Sequence, residues 1–406
     1  MNDNLYSKSV NYMKTLCEKI PERSIGSEGN REATRYFKTI MSSFGWRTDI
    51  QEFDAIDWVD GGATLTVGNS GYDVLVSPYS LSFSGKRQLT SVSTIEELKN
   101  STFEGKILLL HGEIAKEQLM PKNFVFYNPE EHQQIVSLLE QGNPKAIICA
   151  TGKNSSVAGG VYPFPLIEDG DFLVPSVYMT EEEGKRLLPH VGKEVQLSSD
   201  SKRIPGKGYN VVCKKGSDNS KRVVVTAHID AKKGTPGAID NASGVTALLL
   251  LAEVLKDYLG DKQIEIVALN GEDYYSVPGQ MKYIEKNQGQ FESMLMNINI
   301  DGAAYKGSNI SFSLFELPHE LKAKVTALIK KHPDIVEGSP WPQGDHSIFV
   351  QYGVPAVAIS SQWFIDNMDN QSITHTPKDN LSIIDYGKIV TIAKAVEAFI
   401  RSVIIN

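Results

Sequence analysis

The chain has 406 residues, enough for two to three domains, and its 41% hydrophobic and 22% charged content is that of a soluble globular protein. Lys and Arg number 41 against 49 Asp and Glu, a net charge of −8, which argues against a nucleic-acid or membrane-surface binder. The longest apolar run, near "ALLLLAEVL", falls well short of the ~18 residues of a membrane span, and Cys17, Cys149 and Cys213 are too scattered for a disulfide framework or a Cys-based zinc site.

The opening segment, "MNDNLYSKSVNYMKTLCEKIPERS", has no basic start followed by an apolar core, so a cytoplasmic location is expected. It reads as a helix. A second helix is predicted within "RSIGSEGNREATRYFKTIMSSFGW", capped by Ser27, with Ala33, Tyr36, Phe37 and Ile40 recurring at intervals of three and four. A strand follows near "RTDIQEF". From about residue 55 to 200 the texture changes to short β-like runs ("ATLTVG", "YDVLVSP", "KILLLHG", "AIICAT", "SVYMT") broken by Gly, Pro, Ser and Asn, with one helix at "EEHQQIVSLLEQG". From about 202 onward, strands and helices alternate. "RVVVTA", "QIEIVALN", "MLMNINI" and "VPAVAIS" read as strands, and "SGVTALLLLAEVLKDYL", "PGQMKYIEKN", "PHELKAKVTALIKKH" and "IDYGKIVTIAKAVEAFIRSVI" as helices. This alternation predicts an α/β fold, a mainly parallel central sheet with helices on both faces, plus a β-rich inserted domain. In such sheets ligands collect outside the carboxyl ends of the strands.

Those ends carry the chemistry. "VVVTA" runs into His228 and Asp230, "IEIVALN" into Gly271, Glu272 and Asp273, and "MLMNINI" into Asp301. Asp240 sits in the small-residue loop "GTPGAIDNASG", and His375 in "ITHTPKDN" before the closing helix. Singly, each has a bland reading. Asp240-Asn241-Ala242-Ser243 makes a good helix N-terminus, Glu272-Asp273 a solvated turn, Asp301-Gly302 a turn dipeptide, and His375 a structural histidine. Together, so many acids at one sheet edge would repel unless something cationic sat among them. His with carboxylates suits zinc and similar divalent ions.

The series His-x-Asp, Asp, Glu-Asp, Asp, His, with "PGAIDNASGV" after its first member and "HTPKDNLSIID" around its last, resembles metallopeptidase family 28, the co-catalytic zinc aminopeptidases. The resemblance implies a discontinuous catalytic domain over 1–54 and 202–406. Residues 55–201 ("FEGKILLLHGEI", "NPKAIICAT", "LVPSVYMTEEEGKRLL") resemble an inserted protease-associated domain. It also implies two zinc ions bridged by Asp240, one held by His228 and Asp301, the other by Asp273 and His375. Asp230 would stand behind His228 and accept its second ring proton. Glu272 would be the general base acting on the metal-bridging water. The Asp240–Asn241 peptide bond would be cis.

Two positions depart from the family pattern. Asp273 stands where Glu is usual, so the second ion is expected to bind more weakly. Thr374, rather than a nearby Tyr, precedes His375, and Tyr274 and Tyr275 are unassigned. The function expected is a metallo-aminopeptidase or dipeptidase acting on peptides. Glutaminyl-cyclase-like chemistry and a catalytically inactive binding protein on the same fold are the alternatives. From residue 223 onward the only arginine is Arg401. A bidentate grip on a substrate carboxylate is therefore missing, and an acid-rich site suits a protonated N-terminal amine.

Overall fold

The computed structural model describes residues 2–20, 22–152, 162–368 and 372–404. The chain divides into two compact units. One comprises Met1–Ala55, Lys207–Met368 and Ile373–Asn406, the other Ile56–Gly206 and Asp369–Ser372.

The first unit is built on one sheet. Its strands run, edge to edge, Ile335–Gly338, Ile310–Phe315, Ala356–Ser361, Met294–Ile300, Asp218–His228, Lys262–Leu269 and the end of Glu194–Lys215. The central four are parallel, while Ile310–Phe315 and the last strand pair antiparallel to their inner neighbours. The four strands expected here are all present. Chain order reverses at Asp218–His228: the chain passes to Lys262–Leu269 on one side and then to Met294–Ile300 on the other. A crevice forms outside the strand ends at such a reversal.

Alternation along the strands separates the two faces. Val223, Val225 and Ala227 join Ile264, Ile266 and Ala268 in the main core, packed with Leu248, Leu249 and Leu251 of the helix Ser243–Val254 and Ile392 and Val396 of Tyr386–Ile404. Ser243–Ala252 are buried all round, as suits a helix wrapped on every side. Thr226 and His228 alternate with this set, so their side chains lie on the other face, where Tyr283 of Pro278–Asn287 meets Phe349 of His346–Gln351. Ser27 caps the helix Glu28–Ser43 as expected, accepting the N–H of Asn30.

Three strands of this sheet were not expected, the end of Glu194–Lys215 among them. "ISFSLF" alternates Ser with apolar residues; Ile310 and Phe312 enter the core while Ser311 and Ser313 are buried opposite them. Ile335–Gly338 is a short edge strand. The helix beginning at Ser243 ends at Val254 rather than near Leu259.

In the second unit Phe83–Val92, Ile107–Leu110, Ala146–Thr151 and Ser176–Thr180 form a parallel sheet, with Leu75–Val76 antiparallel at one edge. "ILLL" and "AIICAT" are wholly buried and supply two apolar layers, one packed with the helix Glu130–Gln141. Among the described residues no helix is long and apolar enough to cross a membrane.

One close approach ties the main core to the strand ends. Asn241 Nδ2 donates to the carbonyl of Ile300 (2.8 Å), and Asn241 Oδ1 accepts the N–H of Gly244 (3.0 Å). A Cβ at Gly244 would stand 2.4 Å from both Asn241 Oδ1 and Ile300 O. Gly244→Ala should therefore lower the denaturant midpoint by the equivalent of ~1–3 kcal/mol, the usual cost of overpacking; an unchanged midpoint would contradict this contact.

Candidate metal centre

His228 is the last residue of its strand, in register with Leu269 of the neighbouring one. Thr226 pairs with Asn299, so Asp301 emerges just beyond the strand on the other side. Parallel pairing thus delivers residues distant in sequence to one place. His228 Nε2 lies 3.0 Å from Asp240 Oδ1 and 3.4 Å from Asp301 Oδ1. His375 Nε2 lies 3.0 Å from Asp240 Oδ2 and 2.9 Å from Asp273 Oδ1. The Asp240 carboxylate is therefore shared, one oxygen toward each imidazole. Donor atoms of His228, Asp240 and Asp301 lie within 4.8 Å of one another, as do those of Asp240, Asp273 and His375. A third such group, His228, Glu272 and Asp273, places the Glu272 carboxylate against both clusters.

Neither ring nitrogen of His228 has a hydrogen-bond partner, despite the short distance to Asp240, and Asp273 Oδ2 and His375 Nδ1 are also buried without one. Donors that are close but not aligned for a proton fit a cation held among them. Nitrogen and carboxylate oxygen are the ligand types of zinc-like divalent ions.

Asp230 differs in detail from the expectation. Its Oδ1 is 3.6 Å from His228 Nδ1, beyond hydrogen-bond reach. Instead the carboxylate accepts three consecutive main-chain N–H groups, from Gly271 (2.6 Å), Glu272 (3.3 Å) and Asp273 (3.0 Å). Asp240 does not cap a helix; that contact belongs to Asn241, as described above. The Asp240–Asn241 peptide bond is cis. Thr374 is buried, and the Tyr274 and Tyr275 rings pack together 4.4 Å apart.

These observations meet the comparisons with known proteins at the same residues. The profile of peptidase family M28 matches residues 210–400, which hold every residue of the two clusters. Over those residues the chain is similar to peptidase family M28. It is 24% identical to aminopeptidase YwaD of Bacillus subtilis over 294 residues, 70% of this chain and 59% of the relative, so it spans less than two thirds of that protein's length. In fold it is similar to the aminopeptidase from Aneurinibacillus sp. strain AM-1 (TM-score 0.74, 20% identity, 99% of this chain and 93% of that one). It is likewise similar to BSAP, a zinc aminopeptidase from Bacillus subtilis (TM-score 0.77, 18% identity, 98% and 95%).

Two buried acids were not anticipated as site residues. Asp345 precedes the helix His346–Gln351, where capping is the ordinary role, yet its side chain makes no cap. It accepts from Gln280 Nε2 at 2.6 Å, and its other oxygen has no partner. Burial, with Asp301 and Asp230 nearby, raises its pKa to about 7 against the pull of His228. Asp379 lies in the "HTPKDN" segment already singled out and accepts the N–H groups of Ile239 and Asp240. Burial and then Asp240 raise its pKa to about 7.

The field of the site acts on both imidazoles. Burial lowers their pKa values, but the facing carboxylates outweigh it: Asp301, Asp230 and Asp240 around His228, and Asp273 and Asp240 around His375. Both pKa values end well above the ordinary histidine range. In metal-stripped protein at neutral pH both rings therefore hold protons, and only a neutral ring can ligate. Metal affinity should rise as pH rises toward these elevated pKa values and fall as pH falls. Loading should release about one proton per imidazole, read as a dependence of calorimetric heat on the buffer's ionisation enthalpy. Heats independent of buffer would refute the assignment of both imidazoles as ligands.

Proposed function

We propose that this chain is a zinc-dependent exopeptidase that hydrolyses the N-terminal peptide bond of peptides. The observation that carries the reading is the shared Asp240 carboxylate, with one oxygen on each of two His-Asp clusters and Glu272 against both. His228, Asp240 and Asp301 would hold one zinc ion, and Asp240, Asp273 and His375 the other. Ions so held lower the pKa of water, polarise a carbonyl and offset charge developing on its oxygen. The zinc aminopeptidase among the structural neighbours supports the choice of metal, and the aminopeptidase among the relatives supports that of reaction.

Glu272 is the general base. Burial raises its pKa well above the ordinary carboxylate range, with Asp273, Asp301 and Asp345 adding to the shift and His228 opposing it. A carboxylate of raised pKa is a stronger base than one at the surface. Glu272 takes a proton from the attacking water as its oxygen bonds to the scissile carbonyl carbon. It then hands that proton to the leaving nitrogen as the C–N bond breaks. The surplus of carboxylates around the site suits a substrate that brings a protonated amine. The completeness of both clusters weighs against a single-ion cyclase chemistry and against an inactive binding role. The reading of residues 55–201 as a protease-associated-like insert belongs to the same proposal, supported by the parallel sheet of the second unit.

Glu272→Gln should reduce turnover of aminoacyl-nitroanilides or dipeptides by ~10²–10⁴-fold or more while zinc content, measured by atomic emission, is retained. Near-full activity in that variant would rule out the assigned role.

Asp273 places its Oδ1 2.9 Å from His375 Nε2, yet it is one carbon shorter than Glu, and zinc–oxygen bonds tolerate only ~2.0–2.2 Å. Zinc titration of stripped protein should therefore show two unequal sites, with the Asp273–His375 site weaker, and Asp273→Glu should tighten it. Two equal sites in the wild type, or a weaker second site in the Glu variant, would sink this expectation.

A further inference from the structure

Asp240 is the one side chain common to the two His-Asp clusters, and the segment that carries it is gripped by two buried charges of opposite sign. Arg23, 1% exposed, makes four hydrogen bonds, all to main-chain carbonyls. Its Nη1 donates to Leu16 (2.6 Å) and Pro236 (2.8 Å), Nη2 to Gly237 (2.8 Å) and Nε to Ile229 (3.2 Å). Asp379, 0% exposed, works from the other side. Its Oδ1 accepts the N–H of Ile239 (2.6 Å), its Oδ2 the N–H of Asp240 (3.1 Å), and its own carbonyl the N–H of Ala238 (3.3 Å). Over residues 236–240, then, the cation fixes the first two carbonyls and residue 379 fixes the next three amides. Gly237 has φ 57°, and a Cβ there would stand 2.8 Å from Arg23 Nη2 and 2.5 Å from Asp240 O, so the grip leaves no room for a side chain.

Asp379 also lies four residues after His375, whose Nε2 faces the other oxygen of Asp240. One carboxylate thus ties the segment bearing His375 to the segment bearing Asp240. Hydrogen bonds from amides to a buried carboxylate, and from a buried guanidinium to carbonyls, are charge-assisted and directional. Breaking one leaves a buried group uncompensated.

We propose that Arg23 and Asp379 are a positioning pair for the metal centre: together they aim the Asp240 carboxylate so that each oxygen serves a different ion, and disturbing either residue loosens both ions at once. This rests on the reading that Asp240 bridges two ions. A ligand that serves one ion behaves differently, since its loss weakens one site.

The test is zinc titration calorimetry on metal-stripped wild type, Asp379→Asn and Arg23→Lys, with circular dichroism of each stripped protein to establish folding. Asn keeps the shape of Asp379 but turns a donor toward one of the two amides. Lys keeps the charge of Arg23 but not its fork. In folded variants both sites should weaken together, by ~10–100-fold as for other groups that orient metal ligands. Wild-type affinity at both sites in a folded variant would overturn the proposal, reducing the pair to a staple of the fold. Weakening confined to the His375 site would also overturn it. If Asp379→Asn does not fold, Asp379→Glu, which keeps the charge and displaces it by one carbon, carries the same comparison. Fewer than two ions bound by the wild type would refute the two-ion reading itself, an outcome separate from any variant.

Discussion

The structure depends on one electrostatic conflict. The strand ends and the loop after one of them bring Asp240 within a few ångströms of both Asp273 and Asp301, with Glu272 and Asp345 adding to the same field. Mutual repulsion of this kind is tolerated only around positive charge. The chain supplies two imidazoles, and Asp240 divides its oxygens between them. Burial works against charge on the rings, and the acids win, so each ring stands where positive charge is demanded. The His228 nitrogens are not aligned as hydrogen bonders to those acids, an arrangement that fits a cation among them.

That conflict is why the centre was legible in the sequence. A buried strand running into His or an acid is unusual, and three neighbouring parallel strands that each end so are explained together by a shared site. The central strands were legible for a related reason: being covered on both faces, they read as continuous apolar runs. The edge was harder. "ISFSLF" hides a strand behind two serines, which are buried by a neighbouring segment rather than exposed to water; Ser313 Oγ, for example, donates to the carbonyl of Ser339. The helix after Ser243 stops at Val254 although Leu255 and Tyr258 beyond it stay in the core, so the apolar pattern runs past the helix end.

Arg23, Asp345 and Asp379 were invisible as site residues for a different reason. Their partners are main-chain atoms, or a distant amide side chain, and main-chain atoms leave no trace in residue type. Asp345 precedes a helix without capping it, and Gln280, 65 positions away, donates to its carboxylate. Asn30 and Asn270 make the same point. Each donates its side-chain amide to the other's oxygen, at 2.8 and 3.0 Å, so the start of the second helix is joined to the residue before the Gly271–Asp273 turn.

Asp230 shows how this hidden layer works. It was expected to hold His228 through the ring, but its oxygens go to the amides of residues 271–273. Those residues carry Glu272 and Asp273, and the grip draws their backbone toward the His228 strand. An aspartate at 273 then comes within 2.9 Å of His375 Nε2 despite its short side chain, so a turn held from behind offsets part of the missing methylene. Asp379 does the same for residues 239 and 240. Two buried carboxylates each collect consecutive amides from a segment that carries a residue of the clusters. Because amides cannot change with sequence, this mode of support constrains the backbone path rather than the ligand's identity. The backbone path that presents Glu272, Asp273 and Asp240 is therefore fixed independently of which side chains those positions carry.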